Sequence, residues 1–433
     1  MGGFSKKTIR DIDLHGKTVL VRVDYNVPVE HGLITDDYRI KKSLPTIQYL
    51  LDQDCRVVLC SHLGRPEGPN DKSCSLAVTG KRLGELLNKK IDFVTDCIGE
   101  QAKQKIPELN NKDILLLENL RFYKEEEENN DDFAKKLAEG CEVFVQDGFG
   151  VVHRAHASTD AVTRHLPSVA GLLLENEVTS INSAMEDPER PLMAIIGGAK
   201  ISDKIQMLHR FIDIADIVAV GGAMANTFLL ANGYDIGDSL ADKDDVPMAR
   251  EIIDKAREKA KNGKFVFYLP QDGVVADKID KTTKTRIVDW GTHAVAEIEN
   301  YPKRPPASSS KVGAHEKILD IGPASASFMA GCIQLANTVV WNGAMGVTEV
   351  EGLDSKVGPF AHGTEIIVEA MLGQFGHKPK TVVGGGDTVG YIEAKKAVDL
   401  FGHVSTGGGA SMDLMSGKKL PGVEALEGIN RDN

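Results

Sequence analysis

Four arginines in the first 155 residues stand beside apolar runs: Arg39, Arg65, Arg121 and Arg154. The second half carries glycine-rich turns after apolar runs instead: IIGGAK (195–200), VGGAMAN (220–226), VVGGGDT (382–388) and VSTGGGAS (404–411). A guanidinium offers a rigid fork of N–H donors that grips a small carboxylate or phosphate. A glycine turn lets backbone N–H groups and a helix N-terminus close around a polyphosphate, because no Cβ holds the ligand off. Both devices in one chain, kept apart in sequence, predict two phosphorylated substrates on two lobes.

Each set has companions. RVDYNVP (22–28) ends in Asp24 and Asn26. These can bond a hydroxylated substrate or simply shape a turn. SHLGRP (61–66) sets His62 three residues before Arg65, where the imidazole is either structural or a site group. ENLRF (118–122) and DGFGVVHRAHAS (147–158) repeat the theme with Arg121 and Arg154. In the second half Lys200 follows a glycine pair, and Lys204, four residues on, would share a helix face with it. Surface lysines are the alternative. Asp387, after three glycines, offers a hard oxygen ligand for Mg²⁺, and Thr388 could begin a helix. The phosphate loop G-x-x-x-x-G-K-[ST] is absent, and Gly384, Gly386 and Gly390 miss the G-x-G-x-x-G dinucleotide fingerprint by one position.

These groups need a frame. Apolar runs recur at 18–23, 56–60, 113–117, 142–146, 192–196, 216–220, 264–269, 338–341 and 380–383. They do not alternate polar with apolar, as expected of strands buried on both faces of a parallel sheet. Helical patterns lie between them, as at 131–140 and 245–263, the latter closing on Gly263. The alternation predicts an α/β fold. Residues 168–188, from Pro167-Ser168 to Pro188, read as one helix of roughly 30 Å, either a rod between lobes or a plain crossover. Residues 301–313 have loop composition, and the acidic run Glu125–Glu128 reads as solvated surface.

At 433 residues the chain is too long for one ordinary core. Apolar content of 42% and charged content of 26% are those of a globular protein, and a net charge of −12 argues against a nucleic-acid partner. No apolar stretch is long enough to span a membrane, and the first residues have no secretory core. Six cysteines without a Cys-x-x-Cys pair predict reduced thiols and a cytoplasmic location.

Taken in order, RVDYNVP, DDYRI, SHLGRP, ENLRF, DGFG…HRAHAS, GGAK…DKI, WNGAMG, GGGDT, STGGGAS and GKKLPGVEAL resemble the phosphoglycerate kinase family from about Val21 to Leu426. The resemblance implies a monomer of two Rossmann-like lobes, each a mostly parallel sheet flanked by helices. It divides the chain into a phosphoglycerate lobe (1–170, with a returning tail at about 412–433), a hinge helix (171–188) and a nucleotide lobe (189–411). It implies reversible transfer of the acyl phosphate of 1,3-bisphosphoglycerate to Mg-ADP, giving 3-phosphoglycerate and Mg-ATP, helped by closure of the lobes.

Carried over by position, the phosphoglycerate site comprises Asp24, Tyr25, Asn26, Arg39, His62, Leu63, Gly64, Arg65, Arg121 and Arg154. The nucleotide site comprises Gly198, Ala199, Lys200, Lys204, Gly221, Glu349, Gly385, Gly386, Asp387 and Thr388, with Asp387 as Mg²⁺ ligand. Arg39 and Lys200, with backbone N–H groups near Gly386 and Gly409, match the groups that stabilise the transferring phosphoryl. Ala344 and Thr348 replace the family's usual Pro and Phe, Tyr25 replaces a Phe, and 290–317 is longer than usual and lacks a Trp-Met-Gly run. Two rivals are a dinucleotide-dependent oxidoreductase and a binding protein that has lost catalysis. The first leaves the strand-end arginines unexplained, and the second does not account for an intact Arg39, Lys200 and Asp387.

Overall fold

The computed structural model describes residues 4–68, 71–261, 263–291, 311–353 and 357–429. Most of the predicted 301–313 loop lies outside them. All nine apolar runs form strands. Their burial is nearly complete, as in Thr18–Arg22, Leu192–Ile196 and Thr338–Asn342, where every residue is buried. Strands apolar on both faces must be covered by helices on both faces, which is how parallel sheets are built.

The chain divides into two compact units: Met1–Thr179 with Lys418–Asn433, and Ser180–Gly417. The first holds a parallel sheet in the order Asp92–Phe93, Ile114–Leu116, Arg56–Cys60, Thr18–Arg22, Val143–Gln146, Ser168–Ala170. The second holds another, in the order Val266–Tyr268, Ile217–Val220, Leu192–Ile196, Thr338–Asn342, Lys380–Gly384, His403–Val404. In each sheet the chain leaves one central strand toward one edge and later returns to its other neighbour. The crevice so formed lies between Thr18–Arg22 and Val143–Gln146 in the first, and between Leu192–Ile196 and Thr338–Asn342 in the second. Ligands of open α/β sheets bind at the strand carboxyl ends beside such a crevice.

The second unit also carries an antiparallel sheet that the apolar runs do not reveal, Arg286–Asp289, Asp272–Ala276 and Lys317–Ile321. These strands mix polar residues and partly exposed positions with buried apolar ones, so they do not read as continuous apolar segments.

The predicted helix at 168–188 begins later. Ser168–Ala170 is an edge strand paired with Phe144–Gln146, and the helix spans Leu172–Glu186. Tertiary partners set this start. Asp147 Oδ1 accepts from the amides of Leu173 (3.0 Å) and Leu174 (3.3 Å), and Thr46 Oγ1 accepts from that of Leu172 (3.0 Å). They satisfy amides that a helix N-terminus leaves without partners. The acidic run is also not uniformly solvated. Glu126 faces inward from the short helix Lys124–Glu127 and is 1% exposed.

The segment after Lys418 folds into the first unit. The Lys7 amide donates to Glu427 O (2.8 Å), the Glu427 amide to Ser168 O (3.0 Å), and the Gly422 amide to Val152 O (2.9 Å). Leu420, Val423 and Leu426 are buried. Leu426→Ala is expected to destabilise the first unit by about 2–4 kcal/mol through lost burial and a cavity. An unchanged urea midpoint for that unit would contradict this account of the tail.

Candidate functional site

In the first unit, the loops after Thr18–Arg22, Arg56–Cys60 and Ile114–Leu116 are tied together by the predicted residues themselves. Asn26 Oδ1 accepts from the Gly64 amide (2.8 Å). Arg121 Nη1 donates to Gly64 O (2.9 Å). Arg39 Nη1 donates to Asn26 O (2.9 Å) and lies 3.1 Å from Asp24 Oδ2. Gly64 has φ +64°, and a Cβ there would meet Cys74 Sγ at 2.9 Å. A side chain would therefore be both strained and crowded at the residue that joins three loops. Asp24, Asn26, Arg39, Gly64 and Arg121 thus form one hydrogen-bonded set, with buried Tyr25, His62 and Leu63 beneath. Arg65 is exposed on the loop after Arg56–Cys60, and Arg154 is exposed on the segment after Val143–Gln146. Their charged groups make no hydrogen bond among the described residues, so both are available to an anion.

A second, deeper layer was not foreseen. Arg22 is 1% exposed. Its Nε donates to Ser158 Oγ (2.7 Å) and its Nη1 to Val23 O (2.5 Å), and its Nη2 lies 3.2 Å from His62 Nδ1. Asn119 Nδ2 donates to Leu63 O (2.7 Å) and Cys74 O (2.8 Å), holding the His62 loop. One signal was present in the sequence. An arginine closing a strand buried on both faces needs polar partners inside the protein.

The electrostatics arise from crowding cations into a partly buried edge. Burial, then Arg22, Arg121 and Arg39, push His62 well below the usual imidazole range. Burial, then Arg121 and Arg22, push His156 down to about 4. Burial, partly offset by Glu127, also lowers Arg121, with Arg22 and Arg154 adding to the fall. A site that resists further positive charge is matched to an anion.

In the second unit, Lys204 sits in the crevice. Its ammonium donates to Gly197 O (2.6 Å), Asn342 O (3.0 Å) and Asn342 Oδ1 (2.6 Å), from the ends of the two strands that flank the crevice. Burial pulls it down to about 8, opposed by Asp387 and Asp203. The loops approach so closely that a Cβ on Gly197 would lie 2.1 Å from Ala344 O, and one on Gly343 2.2 Å from Gly197 O. Asn342 and Gly343 were not among the predicted site residues. Their signal was a polar pair directly after an apolar strand, in WNGAMG.

Lys200 does not share a helix face with Lys204. The helix Ile205–Ile214 begins only after Lys204, and Lys200 is exposed, 3.1 Å from Asp242 Oδ2. The glycine pair and the close crevice loops carry the chain away from the strand before helical geometry can start.

A cavity of about 440 Å³ opens beside these loops. Gly198, Ala199, Glu349 and Asp387 line it, with apolar Leu229, Leu240, Ile318, Leu319, Met345 and Val347. Trp290 also lines it, from the start of the segment that departs from the family pattern. Gly221 lies against Met345 beside this wall, and a Cβ there would meet Met345 Sδ at 2.4 Å. Gly385 (φ +92°) precedes the helix Gly386–Ala394, whose first turn holds exposed Asp387 and buried Thr388. Thr388 Oγ1 accepts from the Gly343 amide at 2.7 Å. Gly409 lies in the first turn of the helix Gly408–Met415.

Neutral histidines among arginines carry a stability cost in acid. The unfolded chain takes up these protons near pH 6.5, whereas folded His156 does so only near pH 4. The stability contributed by the neutral ring is therefore present above about pH 6.5 and is lost as pH falls toward 4. His156→Asn is expected to lose less urea resistance than the parent protein between about pH 6.5 and pH 4.5. Equal losses would remove His156 from the acid response.

Comparison with known proteins agrees with the geometry. The phosphoglycerate kinase family profile matches residues 9–418. A phosphoglycerate kinase of Moorella thermoacetica is 44% identical over 422 residues, covering 98% of this chain and 99% of that protein. One from Dictyoglomus turgidum is 44% identical over 426 residues, again covering 98% and 99%. The solved phosphoglycerate kinase of Coxiella burnetii superposes with a TM-score of 0.80 at 35% identity, covering 97% of this chain and 98% of that one. That of Pyrococcus horikoshii gives 0.80 at 29% identity, with the same coverage. With its cationic strand edge, its glycine-lined cavity and relatives matched over nearly their full length, the chain belongs to the phosphoglycerate kinase family.

Proposed function

We propose that the chain catalyses reversible transfer of the acyl phosphate of 1,3-bisphosphoglycerate to ADP, giving 3-phosphoglycerate and ATP. The observation that carries this reading is the joined set of Asp24, Asn26, Arg39, Gly64 and Arg121 in a chain related to phosphoglycerate kinases along nearly its whole length. The set supplies fixed donors and guanidinium charge for a phosphorylated carboxylate. Arg65 and Arg154 add unpaired charge at its rim. The cavity of the second unit takes the nucleotide. Its apolar wall of Leu229, Leu240, Met345 and Val347 suits a base, and Gly198 in the lining, with the glycine turn that precedes lining Asp387, suits phosphates.

Phosphoryl transfer needs little covalent help from the protein. It needs alignment, and cations around the equatorial oxygens of the moving group. Arg39 and Lys200 are the side chains we assign to that charge, with backbone N–H groups near Gly386 and Gly409. Among the described residues Lys200 is held only by a surface ion pair with Asp242. Such pairs are worth about 0–1 kcal/mol, so releasing the ammonium to a phosphate costs little. Lys204, already bonded to three oxygens of the crevice, lies against Gly198 of the cavity wall.

The Asp387 carboxylate fits Mg²⁺. It lines the cavity, is exposed, and makes no hydrogen bond or ion pair among the described residues. No cluster of three or more candidate metal-ligating side chains occurs among those residues. Mg²⁺ commonly takes one carboxylate, with nucleotide phosphates and water as its other ligands. When bound, the ion would neutralise phosphate charge. We further propose that the chain acts as a monomer in the cytoplasm. No helix among the described residues is long and apolar enough to cross a membrane.

An assay for ATP formation from ADP and 1,3-bisphosphoglycerate tests the activity directly, and its absence from folded protein would refute it. Arg39→Ala and Lys200→Ala are expected to keep most substrate affinity and to lose turnover by roughly 10²–10³, the effect of removing one stabilising donor. A near-normal kcat in either variant removes that residue from the mechanism. Asp387→Ala should weaken nucleotide binding in Mg²⁺ but not in EDTA. Equal weakening under both conditions would count against the metal role.

A further inference from the structure

Behind the cationic edge of the first unit runs a buried chain of hydrogen bonds to which the proposed substrate contacts assign no task. It starts at Glu126, the inward-facing member of the acidic run. The Glu126 carboxyl accepts from the Ser158 amide (Oε2, 2.9 Å) and from the Ser158 hydroxyl (Oε1, 2.6 Å). Burial pushes the carboxyl up, and the Arg22 charge with the two Ser158 bonds opposes this. With its proton directed at Glu126, Ser158 Oγ offers lone pairs to Arg22 Nε at 2.7 Å. Arg22 Nη2 then reaches His62 Nδ1 at 3.2 Å. Glu126, Ser158, Arg22 and His62 are all at least 97% buried.

The chain has a direction. A guanidinium has five donors and no acceptor. Facing Arg22, His62 Nδ1 must therefore supply a lone pair. A neutral imidazole with a bare Nδ1 carries its proton on Nε2. An imidazolium would place an N–H against the guanidinium and add charge to a ring already faced by Arg22, Arg121, Arg39 and His156. His62 Nε2 makes no hydrogen bond among the described residues, yet it is not one of the sealed, unpartnered buried atoms. It is open to the side of the ring away from Arg22.

From this geometry we propose that Glu126, acting through Ser158 and Arg22, fixes His62 as the Nε2–H tautomer, a neutral donor aimed at the anionic substrate. Glu126, Ser158 and Arg22 are positioning residues here. The inference rests on the proposed placement of 3-phosphoglycerate at this edge. It makes His62 a hydrogen-bond donor that neither gains nor loses a proton as the substrate binds near neutral pH.

The tautomer is read by long-range ¹H–¹⁵N NMR on the full chain with ¹⁵N-labelled histidine near neutral pH, with His62 assigned from a His62→Asn variant. The expected pattern is a protonated Nε2 and a bare Nδ1, both free and with 3-phosphoglycerate, and a shift of the Nε2–H signal on addition. A protonated Nδ1, or exchange between tautomers, overturns the proposal. The expected tautomer with no response to saturating 3-phosphoglycerate overturns the substrate placement instead. Glu126→Gln replaces one acceptor oxygen with an NH₂ facing a Ser158 donor. Ser158→Ala removes the acceptor for Arg22 Nε and serves if Glu126→Gln does not fold. Each is expected to raise KM for 3-phosphoglycerate roughly tenfold or more, as for a lost charge-assisted hydrogen bond. KM for Mg-ATP should stay within about twofold, and His62 should show mixed tautomers. Folded variants with the parent KM and the parent His62 pattern would refute the relay.

Discussion

Both units are governed by one constraint: a parallel strand buried on both faces can meet solvent only at its ends. Thr18–Arg22 and Leu192–Ile196 have no exposed residue, so neither can carry chemistry along its length. Beyond each carboxyl end the backbone leaves the ladder, and its amides and carbonyls need new partners. Asn26 and Gly64 satisfy one another in the first unit, and Lys204 gathers the carbonyls of Gly197 and Asn342 in the second. The polar groups that close off a sheet are thus the same groups that can face a ligand.

In the proposed placement the two units meet anionic substrates by different physics. The first uses side-chain charge, and crowding makes that charge costly. Histidines are held neutral, Arg121 is lowered, and Arg22 requires partners from Val23, Ser158 and His62. A bound anion relieves the repulsion, so the tension itself favours binding. The second uses backbone. Its loops lie so close that Gly197 and Gly343 could not carry a Cβ without meeting carbonyl oxygens. The charges beside these loops are adjustable: Lys200 is exposed, Lys204 is brought down to about 8, and Asp387 is exposed.

Much of this was readable in the residues. Strands apolar throughout announce themselves, because burial on both faces removes every polar position from the run. Arg65, Arg121 and the glycine turns were legible for the complementary reason, since each is conspicuous soon after an apolar run stops, whereas Arg39 comes from the first turn of the helix Tyr38–Asp52. Other features were hidden. Asp272–Ala276 and its antiparallel neighbours carry polar and partly exposed residues among the apolar ones, and their pattern blends with loop. Ser168–Ala170 looked like the first turn of a helix. Only its pairing with Phe144–Gln146, and the Asp147 cap on the following amides, moved the helix start to Leu172.

The sequence by itself determined the α/β alternation, the two kinds of phosphate-handling residue and the order in which they appear, because these depend on local composition and on what each residue type can do. Tertiary structure alone decided which polar groups lie inside. Glu126 belongs to a run of glutamates that look alike in sequence, yet within that run it alone is buried, bonded to Ser158. Lys200 and Lys204 read as neighbours on one helix face, yet one pairs at the surface with Asp242 and the other is enclosed by three oxygens. The reason is physical: burial and hydrogen-bond partnership arise from segments distant along the chain, and neighbours in sequence carry no record of them.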